Sequence, residues 1–87
     1  MDFNLSSYPI ALKADLKIAF GSVIRELRES KCMSQQELAD YAEMDRTYLS
    51  DLERGLNYPS LNTIYKLAEV LKLKPHELIS RVDKLML

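Results

Sequence analysis

Apolar residues recur three and four positions apart along most of the chain, the spacing that places side chains on one face of an α-helix. This pattern predicts a first helix over about 13–31. Its apolar face is formed by Leu16, Ala19, Phe20, Val23, Ile24 and Leu27. Residues 1–12 lack the period and contain Pro9. They are therefore expected to form an N-terminal arm before a domain that spans 13–87.

Capping signals predict where the later helices begin and end. The SQQE run at 34–37 is a capping box that starts helix 2. Asp45 is a candidate N-cap for helix 3, and Gly55 ends that helix because glycine readily adopts the left-handed conformation. Ser60 is a candidate N-cap for helix 4, and Pro75 suits the first position of helix 5. The prediction is an all-α, five-helix domain.

Helices 2 and 3 are joined by a very short connection. Only about three residues lead from Ala42 to the cap at Asp45, so the two helices are expected to cross steeply, as in a helix-turn-helix. Ala39 is the expected small residue at the crossing, opposite Leu49 and Leu52.

Composition limits the classes of function. The 87 residues suffice for one domain, whose marginal stability favours a dimer. Twelve basic against thirteen acidic residues argue against non-specific binding to polyanions. The single Cys32 cannot form an internal disulfide, which favours a reducing, cytoplasmic location, and no apolar run is long enough for a membrane span.

Enzyme chemistry finds no support in the sequence. His76 is the only histidine, and no catalytic constellation surrounds it. One Cys and one His cannot complete a tetrahedral zinc site, so no metal and no cofactor is expected.

Residues 24–79 resemble the phage repressor and Cro superfamily of helix-turn-helix transcription regulators. The resemblance is carried, in order, by SQQELA, YLSDLERG, PSLNTIYKLAEVL and PHELI. Within that superfamily, DRTYLSDLER is most similar to the controller proteins of restriction-modification systems. The resemblance implies a homodimeric transcriptional regulator that reads a pseudo-palindromic operator in double-stranded DNA. A contact with RNA polymerase is a second candidate interaction.

Three positions depart from the pattern of that superfamily. Glu43 and Cys32 stand where the family usually has glycine, so each is expected either to carry left-handed strain of about 1 kcal/mol or to follow a slightly altered local path. Lys74 leaves helix 5 without a side-chain oxygen cap, so its first turn is expected to fray.

In such a fold the first turn of helix 3 enters the major groove. The candidate base-reading residues are Arg46, Thr47, Tyr48, Ser50 and Asp51. Arg pairs with guanine, the Thr methyl packs on thymine, and Ser donates or accepts. The resemblance to controller proteins implies that the Tyr48 hydroxyl reaches a phosphate or a base, and a ring packed at the margin of helix 3 is an equal alternative. Asp51 either accepts from cytosine or repels phosphates on wrong docking.

Phosphate contacts and a structural ion pair are predicted around helix 3. The candidate phosphate ligands are Gln35, Gln36, Arg54, Asn57 and Asn62. The family pairs the positions of Arg28 and Glu53, which implies a buried or half-buried ion pair here.

Helix 5 is the predicted dimer interface, through a stripe that the monomer would otherwise expose: Leu78, Val82, Leu85 and Met86.

The arm lacks Lys and Arg, so its apolar residues, Phe3, Leu5, Tyr8 and Ile10, are expected to pack on the domain or on a partner subunit. The acidic balance keeps a second function open, a helical protein-interaction module such as an antitoxin or adaptor.

Overall fold

The computed structural model describes residues 12–86, which form five α-helices. These are α1 (Leu12–Ser30), α2 (Gln35–Tyr41), α3 (Arg46–Glu53), α4 (Leu61–Val70) and α5 (Pro75–Met86). The predicted five-helix architecture is confirmed, and helix 1 is displaced by one residue. Of the predicted arm, only Leu12 is described, as the first residue of α1. The expectation for Phe3, Leu5, Tyr8 and Ile10 lies outside the described residues.

One apolar core lies between the helices. α1 packs along α3 and α5, α2 packs on α3, and α4 packs on α5. The largest fully buried side chains come from all five helices or the turns that close them: Ile24, Leu38, Leu49, Leu52, Leu67, Leu71 and Leu78. Because α1 contacts both α3 and α5, it positions the two helices relative to each other.

Gly21 allows α1 to approach the end of α3. A Cβ built at this position would lie 2.8 Å from the Glu53 carbonyl oxygen and still closer to that of Leu52. Both atoms belong to the backbone and cannot move aside as a side chain could. The small residue at this contact is therefore what lets α3 lie directly against α1.

Four helix ends close in the same way. In each, one residue adopts a left-handed conformation: Cys32 (φ 56°), Glu43 (φ 54°), Gly55 (φ 74°) and Lys72 (φ 62°). The amide of the next residue donates to the carbonyl five positions earlier, at 2.9 to 3.2 Å, which is the Schellman closure. The left-handed residues predicted at Cys32 and Glu43 are confirmed, whereas the one at Lys72 was not predicted.

The predicted dimer stripe on α5 is wrong for two of its four residues. Leu78 and Val82 are 0% and 2% exposed and belong to the core of the monomer. The expectation that one small core could not cover them fails because α1 is 19 residues long and packs along α5. Leu85 remains exposed at 53%, and Met86 is half-buried.

Other predicted features of the helices differ in detail. Leu16 is expected on the apolar face of helix 1, but it is 40% exposed. Asp45 is the N-cap of α3 without a side-chain capping bond. At α5, the Lys74 amide donates to the Glu77 carboxylate (2.8 Å), a cap that the sequence interpretation missed when it expected fraying.

Candidate nucleic-acid interface

The start of α2 is held by the predicted capping box. The Ser34 amide donates to the Glu37 carboxylate (2.9 Å), and the Ser34 hydroxyl accepts from the Glu37 amide (3.0 Å). Two interactions with Ser34 lower the pKa of Glu37, because both favour the ionised carboxylate. The bond from the Ser34 amide has the larger effect and the interaction with its hydroxyl the smaller. The cap thereby fixes the first turn of α2, which carries Gln35 and Gln36.

α2 and α3 meet through the apolar residues that the short connection predicted. Ala39, Leu49 and Leu52 are fully buried. Between the helices, Glu43 adopts its left-handed conformation and the Met44 amide donates to the Ala39 carbonyl (2.9 Å). The burial of one face of α3 determines which residues of that helix remain on the surface.

The outer face of α3 carries most of the candidate base-reading residues. Arg46 and Thr47 are exposed in the first turn, and Ser50 and Asp51 are half-buried in the second. The Asp51 carboxylate lies 3.7 Å from the Arg54 guanidinium, in a largely exposed pair of the kind that stabilises little. The structure therefore brings these side chains onto one continuous helix surface.

Tyr48 differs from the other candidate base-reading residues. Its ring is half-buried and packs against the core, as in one of the two alternatives drawn from the sequence. Its hydroxyl oxygen lies 3.2 Å from Thr63 Oγ1, and either oxygen can be the donor. Tyr48 thus connects α3 to the first turn of α4.

Thr63 was not predicted as part of the site. It is buried, and its amide donates to Ser60 Oγ (3.1 Å), while Ser60 Oγ donates to Thr63 Oγ1 (3.0 Å). The predicted N-cap at Ser60 is confirmed. A threonine three residues after a serine N-cap was the available signal, because that spacing brings both side chains to the same helix end.

The structural ion pair implied by the family resemblance is present. Arg28 Nε donates to Glu53 Oε2 (2.7 Å) and Nη2 donates to Oε1 (3.0 Å), with both side chains largely buried. A third bond runs from Arg28 Nη1 to the Met33 carbonyl (2.7 Å). The bond to Glu53 raises the pKa of Arg28 against the opposing effect of desolvation. Removing one partner of such a pair costs about 3–5 kcal/mol because a buried charge is left uncompensated.

Both candidate glutamines use a side-chain N–H inside the protein. Gln35 is half-buried and donates through Nε2 to Glu53 Oε1 (3.0 Å), which joins α2 to the ion pair. The exposed Gln36 donates to Asp40 Oδ1 (2.8 Å). Each amide nitrogen has a second N–H that these bonds leave unused.

The remaining candidate phosphate ligands lie outside α2. Arg54, Asn57 and Asn62 are exposed, at the end of α3, in the following loop and at the start of α4. Among residues 16–86 no three His, Cys, Asp or Glu side chains are grouped so as to hold a metal ion. None of the described helices is long and apolar enough to cross a membrane.

Comparison with known proteins identifies this arrangement. A helix-turn-helix family model matches residues 24–78. The chain belongs to this helix-turn-helix family. The match covers all of α2, α3 and α4, and the likeness to repressor-type regulators predicted from the sequence is confirmed.

Individual relatives include controller proteins. The chain is 39% identical over 66 residues to the control protein C.BamHI from Bacillus amyloliquefaciens, covering 75% of this chain and 82% of the relative. It resembles the crystal structure of the restriction-modification controller protein C.AhdI from Aeromonas hydrophila, with 46% identity, a TM-score of 0.70, and coverage of 75% and 97%.

A further structural relative was solved with DNA. The biofilm regulator SinR in complex with DNA matches with 36% identity and a TM-score of 0.66, over 69% of this chain and 97% of the other. The subfamily predicted from DRTYLSDLER is therefore represented among the relatives, beside other regulators of the same family.

Proposed function

We propose that this helix-turn-helix protein is a sequence-specific DNA-binding transcriptional regulator that acts as a homodimer. The observation that carries the proposal is the exposed first turn of α3, which holds Arg46 and Thr47. The Arg28–Glu53 pair attaches the end of this helix to α1. A base-reading helix must be held rigidly, since hydrogen bonds to base edges tolerate little displacement. The relatives named as controllers and regulators support the same function.

In this proposal Arg46 is the principal reader of base sequence. A guanidinium can donate two parallel hydrogen bonds to O6 and N7 of guanine in the major groove. Thr47 can place its methyl group against a thymine methyl, and Ser50 can donate to or accept from a neighbouring base. Asp51 either accepts from cytosine N4 or excludes wrong registers by repulsion from phosphates.

The phosphate contacts fall to largely neutral groups. Gln35 and Gln36 each have an unused N–H at the start of α2, where the helix dipole also favours an anion. Asn57 and Asn62 lie near the start of α4, and Arg54 is the one charged member of the set. Neutral donors explain how a chain with a net charge of −1 can bind DNA without a strongly basic surface.

The homodimer is proposed through the outer side of α5. Leu85 is exposed and Met86 is half-buried, and Ile79 on the same helix is also exposed. Apolar side chains left uncovered at the end of a small domain favour a partner surface. The contact with RNA polymerase stays a prediction from the family resemblance.

A titration tests the proposed function directly. Fluorescence anisotropy would follow binding to DNA from upstream of the protein's own gene, at two salt concentrations, with scrambled DNA of equal length as the control. We expect tighter binding to the upstream DNA at both salt concentrations. Equal and weak binding to both DNAs would contradict the proposal and favour the protein-interaction module instead.

A further inference from the structure

Three hydroxyl groups form a chain that joins the recognition helix α3 to α4. Ser60 Oγ, Thr63 Oγ1 and the Tyr48 hydroxyl oxygen follow one another at 3.0 and 3.2 Å. This series of hydroxyl groups begins at the N-cap of α4 and ends at Tyr48, a half-buried side chain in the first turn of α3. None of the direct contacts assigned above to Arg46, Thr47 or Ser50 uses it.

The number of protons sets the direction of this chain. Each hydroxyl carries one proton. Ser60 Oγ accepts from the Thr63 amide and donates its own proton to Thr63 Oγ1. The proton of the buried Thr63 then needs an acceptor, because a buried O–H without one is costly. The Tyr48 oxygen lies within reach of that proton.

When Thr63 donates to Tyr48, the phenolic proton is free to serve a group outside the protein. Hydrogen bonds in a chain polarise one another, so the last hydroxyl becomes a stronger donor. The Tyr48 ring is half-buried against the core and its hydroxyl lies beside α4, whereas Arg46 and Thr47 are exposed. Phosphates flank a recognition helix, whereas base edges lie in front of it.

We propose that Thr63 is a positioning residue that orients the Tyr48 hydroxyl as a hydrogen-bond donor to a DNA phosphate beside α3. The proposal rests on the proposed function, since the phosphate belongs to the operator. It assigns Tyr48 to backbone positioning rather than to base readout. It also gives the buried Thr63 a role in operator affinity.

A double-mutant cycle tests the proposal by operator affinity. Tyr48→Phe removes the hydroxyl and keeps the ring, and Thr63→Val removes the other hydroxyl and keeps the branched shape. Each change is expected to weaken binding about two- to tenfold per half-site, the size of one neutral hydrogen bond. The double variant should bind no more weakly than Tyr48→Phe alone, because both changes remove the same contact. The ranking of operator sequences and the salt dependence should stay unchanged, since a neutral phosphate donor is lost.

Thr63→Ser is the matched control for packing. It keeps the hydroxyl and loses only the methyl group, so it should retain the affinity of the parent protein. Thermal unfolding of each variant would establish that binding is measured on folded protein. If Thr63→Val does not fold, Thr63→Ala takes its place, because it also removes the hydroxyl, and its affinity is compared with that of Thr63→Ser.

The outcomes separate this inference from the proposed function. Failure of the parent protein to prefer its operator overturns both. If the parent binds specifically and Tyr48→Phe binds equally well, the Tyr48 hydroxyl donates inward to Thr63 and the inference is wrong. Additive losses in the double variant would also overturn it, because Thr63 would then act independently of Tyr48.

Discussion

Arg46 and Gln35 contribute to DNA binding in different ways under the proposed function. Arg46→Ala should cost about 1–3 kcal/mol per half-site and relax the preference for one guanine, since a two-bond contact to one base is lost. Gln35→Ala should weaken binding to all sequences similarly and leave their ranking unchanged, because it removes a neutral phosphate donor and the bond that joins α2 to Glu53, neither of which reads bases.

Selection from a randomised operator library would measure both effects. The two substitutions serve as controls for each other, since one changes base readout and the other changes backbone affinity. Identical sequence preferences for Arg46→Ala and the parent protein would show that α3 does not read bases through this residue.

At the residue level, the sequence predicted which side chains lie on helix surfaces better than it predicted their hydrogen-bond partners. The exposure of Arg46 and Thr47 follows from helical period, and the Arg28–Glu53 pair was implied by family resemblance. The bond from Gln35 to Glu53 spans 18 positions and has no local signal. The Tyr48–Thr63 contact likewise depends on how α4 packs beside α3, which no single-helix pattern contains.

The helix ends offer a test at the scale of the element. Glu43 is left-handed in the turn between α2 and α3, where an L-residue loses about 1–2 kcal/mol. Glycine avoids this cost but loses about 0.5–1 kcal/mol in chain entropy. Glu43→Gly should therefore raise the free energy of unfolding by roughly 0.7 kcal/mol, the difference between the midpoints of these two ranges, measured by urea denaturation.

Glu43→Ala is the control for this substitution. Alanine removes the carboxylate as glycine does but keeps the Cβ, so it should bring no comparable gain. A gain of the same size in both variants would mean that loss of the charge, rather than relief of the backbone, stabilises the protein.

The four helix closures also show which helix ends could be predicted from the sequence. Gly55 marked the end of α3 because glycine is the usual residue at such a position. Lys72 adopts the same conformation without any such mark. The missed signal was the apolar residue that follows the left-handed one, since Met33, Met44 and Leu73 each pack on the core directly after their helix closes.

At the scale of the whole molecule, α5 has two kinds of apolar residue with opposite expected behaviour. Truncation of a core leucine costs about 2–5 kcal/mol. Leu78→Glu should lower the free energy of unfolding by at least this much, because it also buries a charge. Leu85→Glu should leave the fold intact and weaken the proposed dimer, since this side chain is exposed. Thermal unfolding followed by analytical ultracentrifugation would separate the two; a folded, dimeric Leu85→Glu protein would move the interface away from Leu85.

The proposed homodimer, with one recognition helix per subunit, predicts the geometry of its operator. The two half-sites should lie on the same side of the DNA, with centres about 10 base pairs or 34 Å apart. Inserting five base pairs between them rotates one half-site by roughly half a turn, so that only one subunit can bind at a time. Affinity should fall to that of a single half-site, whereas the same insertion outside the operator should have no effect.

Leu85→Glu should bind a single half-site as the parent protein does and gain nothing from the second. Full affinity for a DNA with one half-site, measured by anisotropy with the parent protein, would show that recognition does not require two-fold symmetry.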